Sequence, residues 1–92
     1  MFDEDVLKEV IARNGAVYQE IIAIEEMSEL TKEITKHIRG SANRDHIIEE
    51  LADVYIMLRQ LEMIHHIDSF ELLEMIKKKI ERLKERLNHE SL

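Results

Sequence analysis

The chain has 92 residues and contains no proline, no cysteine and only two glycines. Strand-rich folds turn often and rely on glycine and proline to do so, which excludes an all-β architecture and leaves helices as the expected elements. Without cysteine there are no disulfides to support the fold. A domain this small buries only about 60–65% of the surface of its unfolded chain, so it is expected to need a metal or another chain. No apolar run approaches the roughly 18 residues of a membrane span. The first residues, Met1-Phe2-Asp3-Glu4-Asp5, are acidic where a signal or transit peptide is basic. A soluble, cytoplasmic protein is the expectation.

Hydrophobic residues make up 45% of the chain and charged residues 36%, the balance of a folded chain rather than a disordered one. The formal net charge of -7 argues against a nucleic-acid polymer or an anionic membrane as partner, since both are bound by clustered Lys and Arg that displace counterions. Acids dominate up to residue 74, whereas the last stretch carries Lys77, Lys78, Lys79, Arg82, Lys84 and Arg86 against Glu81, Glu85 and Glu90. An acidic body with a basic last helix suits a metal–polyphosphate ligand, carboxylates taking the cation and Lys or Arg the phosphate oxygens. An ordinary solvated helix face has the same composition.

Apolar spacing divides the chain into four helical segments with no linker or repeat, one domain over residues 1–92. The first runs from about Asp3 to Arg13, with Asp3 or Asp5 as cap, and breaks at Asn14-Gly15. The second runs from Ala16 to Arg39 and stops where Gly40 can turn left-handed. After Gly40-Ser41-Ala42-Asn43, a third, with Asn43 or Asp45 as candidate N-cap, reaches His65 or His66. Asp68-Ser69-Phe70-Glu71 has the form of a capping box opening a fourth helix that extends to about Asn88. In the third, Ile47, Ile48, Leu51, Val54, Tyr55, Ile56, Met57, Leu58 and Leu61 wrap most of the circumference. A helix apolar nearly all round must be buried nearly all round, and three other short helices cannot cover it. The expected fold is therefore all-α, with antiparallel helical hairpins of a homo-oligomer, dimer or tetramer, assembling into a four-helix bundle.

Glu26 and Glu29 lie about 60° apart on one helix, and Glu50 and Asp53 do the same on the next. The short connection makes the two helices antiparallel neighbours, so both acid pairs fall within a few turns of the bend and four carboxylates are expected to converge. Crowded carboxylates either bind protons or hold a divalent cation, and oxygen-only ligands favour Mg²⁺ or Mn²⁺. Acids at this spacing on a single helix are common as solvated residues; two pairs on successive helices, one within an apolar run, carry the inference.

These residues stand as Glu25-Glu26-Met27-Ser28-Glu29, twenty intervening residues, then Glu50-Leu51-Ala52-Asp53. The pattern resembles the hallmark of the all-α nucleoside triphosphate pyrophosphohydrolases of the MazG type, and the likeness covers roughly Ala16 to Arg86. The resemblance implies Mg²⁺-dependent hydrolysis of a nucleoside triphosphate between the α and β phosphates, giving a monophosphate and pyrophosphate. It implies metal binding by Glu26, Glu29, Glu50 and Asp53, with Glu25 as the extra carboxylate that orients or deprotonates water. Lys79, Arg82 and Arg86 share a face and correspond to the family's late phosphate-binding cluster, in which Leu83 occupies the usual asparagine position. Lys32 is a further phosphate candidate, with Lys36 beside it, and Gln19 with Tyr18, and His37 or His46, are candidates for the base or sugar. Glu33 reads as a partner for Lys36 or His37. Glu62-Met63-Ile64-His65 has the spacing of di-iron bundles, which need two such motifs. The competing class is a non-enzymatic helical dimerisation module; a relative that binds nucleotides without turning them over is a third.

Overall fold

The computed structural model describes residues 2–41 and 43–90. It is built of α1 (Glu4–Asn14), α2 (Ala16–Ile38), α3 (Arg44–Ile64) and α4 (Ser69–Glu90), with no strand among the described residues. Each boundary has a local chemical cause. The Asp3 carboxylate accepts from the Val6 amide at 3.3 Å to open α1. Gly15, at φ 92, closes α1 by donating to the Ile11 carbonyl at 2.8 Å. At the end of α2, Gly40 takes φ 83. The Gly40 amide donates to His37 and the Ser41 amide to Lys36, which satisfies two carbonyls a straight helix end would orphan. Ala42, in the connection expected from the sequence, lies outside the described residues. Of the two caps proposed for α3, Asn43 is the one used, its Oδ1 accepting from the Asp45 amide at 2.8 Å.

The α3 end repeats the α2 end with a different residue. The His66 amide donates to Met63 and the Ile67 amide to Glu62, while His66 itself sits at φ 53 where glycine is commonest. Only half of the expected capping box opens α4. Asp68 Oδ1 accepts from the Phe70 amide at 2.9 Å, one residue short of Glu71, and Glu71 stays exposed with no return bond among the described residues.

Helices α2 and α3 pair along their lengths, with α1 against both. The antiparallel register is read from two contacts: Gln19 meets Gln60, and one heptad later Glu26 meets Asp53, so α2 advances seven residues as α3 retreats seven. The buried apolar residues among those described are Leu7, Ala23, Val54 and Met57. Arg59 ties α3 to α1 through two bonds to Glu4 Oε1, at 3.1 and 2.8 Å, with Glu62 at 3.6 Å on its other side.

A single chain leaves much apolar surface uncovered. Val54 and Met57 face α2, but Ile48, Leu51, Tyr55 and Leu58 on another side of α3 are exposed. On α4 every described side chain is exposed except the half-buried Glu74. The radius of gyration is 16.6 Å, against about 12 Å for a compact chain of this length.

Candidate metal centre

The hairpin register carries Glu26 on α2 opposite Glu50 and Asp53 on α3, and one carboxylate oxygen from each lies within 4.8 Å of the others. Glu50 Oε2 is buried without a hydrogen-bond partner. The pKa of Glu50 is raised, first by burial and then by the charges of Asp53, Glu29, Glu33 and Glu49. That of Glu26 is raised by burial, by the charge of Asp53, by a hydrogen bond with Asp53, and by Glu50 and Glu29. No Lys or Arg among the described residues pairs with any of the three. Glu26 and Glu50 are half-buried and Asp53 is exposed. Carboxylates crowded together without a counter-charge hold protons or a cation, and three hard oxygen donors with one unspent buried oxygen fit a small divalent ion such as Mg²⁺ or Mn²⁺.

The convergence involves three carboxylates rather than the four expected. Glu29 lies about 60° farther round α2 towards solvent, where it is exposed and pairs with Lys32 at 3.9 Å. Its charge still reaches the site, since it contributes to raising both Glu26 and Glu50. Glu25 is exposed. Lys79, Arg82 and Arg86 are exposed on α4, and no ion pair joins them to the carboxylates among the described residues. Gln19 is not open to a ligand: it is 4% exposed, donates to Gln60 Oε1 at 2.7 Å and accepts from Asn14 Nδ2 at 2.9 Å. Tyr18, His37 and His46 are exposed. Glu62 and His65 are not brought together, since Glu62 serves Arg59 and Ser69 while His65 Nε2 lies 3.2 Å from Glu20.

Two features were not singled out from the sequence, the partner of Gln19 and an apolar concavity, and a third, the Glu33–Lys36 pair, was expected but not its burial. Gln60 is the buried partner of Gln19, and the seven-residue spacing shared by Gln19 with Glu26 and by Asp53 with Gln60 is the signal that could have found it. Glu33 is buried and held by Lys36 at 3.2 Å, so an expected surface pair lies at the edge of the carboxylate cluster. The apolar concavity is formed by Phe2, Ala52, Tyr55 and Ile56, with a volume of about 570 Å³. Around α3 the order at about 100° per residue is Ala52, Ile56, Asp53, Glu50, so the concavity adjoins the carboxylates through Asp53.

No family model, curated protein or solved structure matches the chain. The likeness to MazG-type hydrolases thus rests on the motif residues themselves.

Proposed function

We propose that the chain is a Mg²⁺-dependent nucleoside triphosphate pyrophosphohydrolase of the MazG type. It cleaves a ribo- or deoxyribonucleotide between the α and β phosphates with water, yielding the monophosphate and pyrophosphate, and serves nucleotide-pool cleaning or balance in the cytoplasm. The observation that carries this reading is the meeting of Glu26, Glu50 and Asp53, with the buried Glu50 Oε2 unpartnered, at the motif positions. Those three residues hold the cation, with Glu29 beside them as a fourth carboxylate. When bound, the ion supplies charge neutralisation for the triphosphate and acidifies water. Glu25, exposed and next to Glu26, is assigned to orient the water. Lys79, Arg82 and Arg86, without ion pairs among the described residues, and Lys32 are assigned to phosphate oxygens. The concavity with Tyr55 and Phe2 replaces Gln19 as the seat for a base, aromatic faces suiting a flat ring. The active form is a homo-oligomer, dimer or tetramer, in which hairpins pair through Ile48, Leu51 and Leu58 into a four-helix bundle.

The exposed apolar side chains of α3 also favour a second reading, a dimerisation module without catalysis. Pyrophosphate release from a panel of ribo, deoxy and modified triphosphates separates the two. The hydrolase releases pyrophosphate only with Mg²⁺ or Mn²⁺ and melts higher when the ion is added. Absence of both effects leaves the module.

A further inference from the structure

On α4, Leu73, Ile76, Ile80 and Leu83 recur at spacings of three and four and are all exposed. The two flanks of this stripe differ. On one, Glu74 pairs with Lys77 at 3.3 Å and Glu81 with Lys84 at 3.0 Å, so the charge is internally cancelled. On the other lie Lys79, Arg82 and Arg86, for which no acid of the chain provides a partner among the described residues.

The outer side of α2, turned away from α3, carries the counterpart. Val17, Ile21 and Ile24 form an exposed stripe, and Glu25 and Glu29 lie on one flank of it, between the stripe and the hairpin interior. By the helical rise, Val17 to Glu29 spans about 18 Å and Leu73 to Arg86 about 20 Å. In both helices the flanking charge lies towards the C-terminal part of the stripe.

We infer that α4 docks in parallel along the outer stripe of α2 in a second copy of this chain, its Lys79–Arg82–Arg86 flank against Glu25 and Glu29. The inference deepens the assembly part of the proposed function and does not depend on the chemistry proposed there. Area supports a second copy. The chain exposes 7452 Å², about 1,900 Å² more than a compact monomer of its mass. For a pair that excess is about 3,800 Å², within the range of obligate homodimer interfaces. Pairing of α4 with α4 would set Lys79 and Arg86 against cations of the other copy. A membrane surface is disfavoured by the five acids of α4 and would leave the α2 stripe uncovered. The arrangement also brings Lys79, Arg82 and Arg86 beside the carboxylate cluster of the neighbouring copy, where the phosphates of a bound nucleotide would take them over from Glu25 and Glu29.

The absence of cysteine permits a direct test. Ile24→Cys and Ile80→Cys are prepared as separate full-length chains, mixed in chelator without nucleotide, and oxidised. The mixed disulfide is expected to exceed both homodisulfides. Predominant Ile80→Cys homodisulfide, or cross-links confined to one chain when both substitutions are placed together, overturns the inference. In a second measurement, sedimentation equilibrium of Ile80→Ser/Leu83→Ser is expected to show dimer association weakened by about a hundredfold with helicity retained. A chain that is monomeric at all concentrations, or whose α4 binds anionic vesicles while the α2 stripe stays uncovered, overturns both the docking and the homo-oligomer. An unaltered dimer in the double variant overturns the docking alone. Pyrophosphate release tests the hydrolase separately.

Discussion

The α2–α3 hairpin and α4 use polarity in opposite ways. In the hairpin, polar groups are turned inward: Gln19, Gln60 and Glu33 are buried, and Glu26 and Glu50 are half-buried beside Asp53. In α4 the apolar stripe faces outward with everything else. The hairpin's polar groups meet their partners, or their unneutralised neighbours, inside one chain, whereas the stripe of α4 has nothing to cover it there. Substitutions of the hairpin's inward polar groups should therefore act independently of protein concentration, and those on the α4 stripe should act through association.

The largest expected effect lies at the carboxylates. Outer-shell partners of a metal are typically worth 10- to 100-fold, so loss of a proposed ligand, as in Glu50→Gln or Asp53→Asn, is expected to lower the proposed pyrophosphate release by more than about a hundredfold. Circular dichroism should show the helices intact. In metal-free buffer the sign reverses: either change removes a charge from an unneutralised cluster, so the apo variant is expected to melt at or above the parent temperature. Normal turnover in both variants would refute the site and erase the functional side of the comparison.

The buried amide pair tests the structural side. Gln60→Leu leaves the Gln19 Nε2 donor buried without its acceptor, a loss of about 1–3 kcal/mol in chemical denaturation. Gln19→Leu/Gln60→Leu removes both partners and should recover most of it. Both shifts should be the same at low and high protein concentration. Additive losses in the double variant would mean that the two amides are wetted in solution and that the hairpin interior is less closed than the 3% exposure of Gln60 indicates.

Titration gives a smaller effect with two opposite signs. Glu26 and Glu50 hold protons more tightly in the folded chain than the ordinary carboxylate value near 4.5 allows. Their penalty is absent below that value and is felt fully once pH rises through the raised pKa, so metal-free protein should lose stability over this interval. Glu4, held below the ordinary value by its bonds to Arg59, acts oppositely: its contribution is present above 4.5 and lost as pH falls through the lowered pKa. Melting temperature against pH should thus decline on both sides. Glu50→Gln should flatten the upper decline, and Mg²⁺ should cancel it in the parent by favouring the ionised forms.

Helix positions were legible in the sequence because their punctuation is local: Asp3, Gly15, Gly40 and Asn43 end or begin helices by bonds to residues a few positions away. The meeting of Glu26 with Glu50 and Asp53 was legible too, since two short spacings joined by a tight connection leave little freedom. The outward turn of Glu29 was not, because it depends on how far α2 rotates about its axis when Ala23, Val54 and Met57 pack. Nor was the closure of Gln19 by Gln60, which lies 41 residues away. A glutamine near an acid motif reads as a ligand group until its long-range partner is known.

The smallest expected effect lies at the junction between the two regions, where His66 holds φ 53. A left-handed backbone crowds the Cβ of any L-residue, and the two carbonyls satisfied by the His66 and Ile67 amides need that conformation. His66→Gly removes the crowding and keeps both amide bonds, but glycine also gives the unfolded chain more freedom. Relief of the roughly 1–2 kcal/mol left-handed cost, less about 0.4–1 kcal/mol of unfolded-chain entropy, is expected to leave a gain of up to about 1 kcal/mol, read by denaturant titration. His66→Val should lose more than glycine gains, since a β-branched residue tolerates this region least. If α3 and α4 were one continuous helix in solution the order would invert, with valine tolerated and glycine costing about 1 kcal/mol as a helix-interior residue. The ranking of the two variants therefore reports whether α4 is set off from the hairpin by a fixed bend, on which the contrast between the two regions depends.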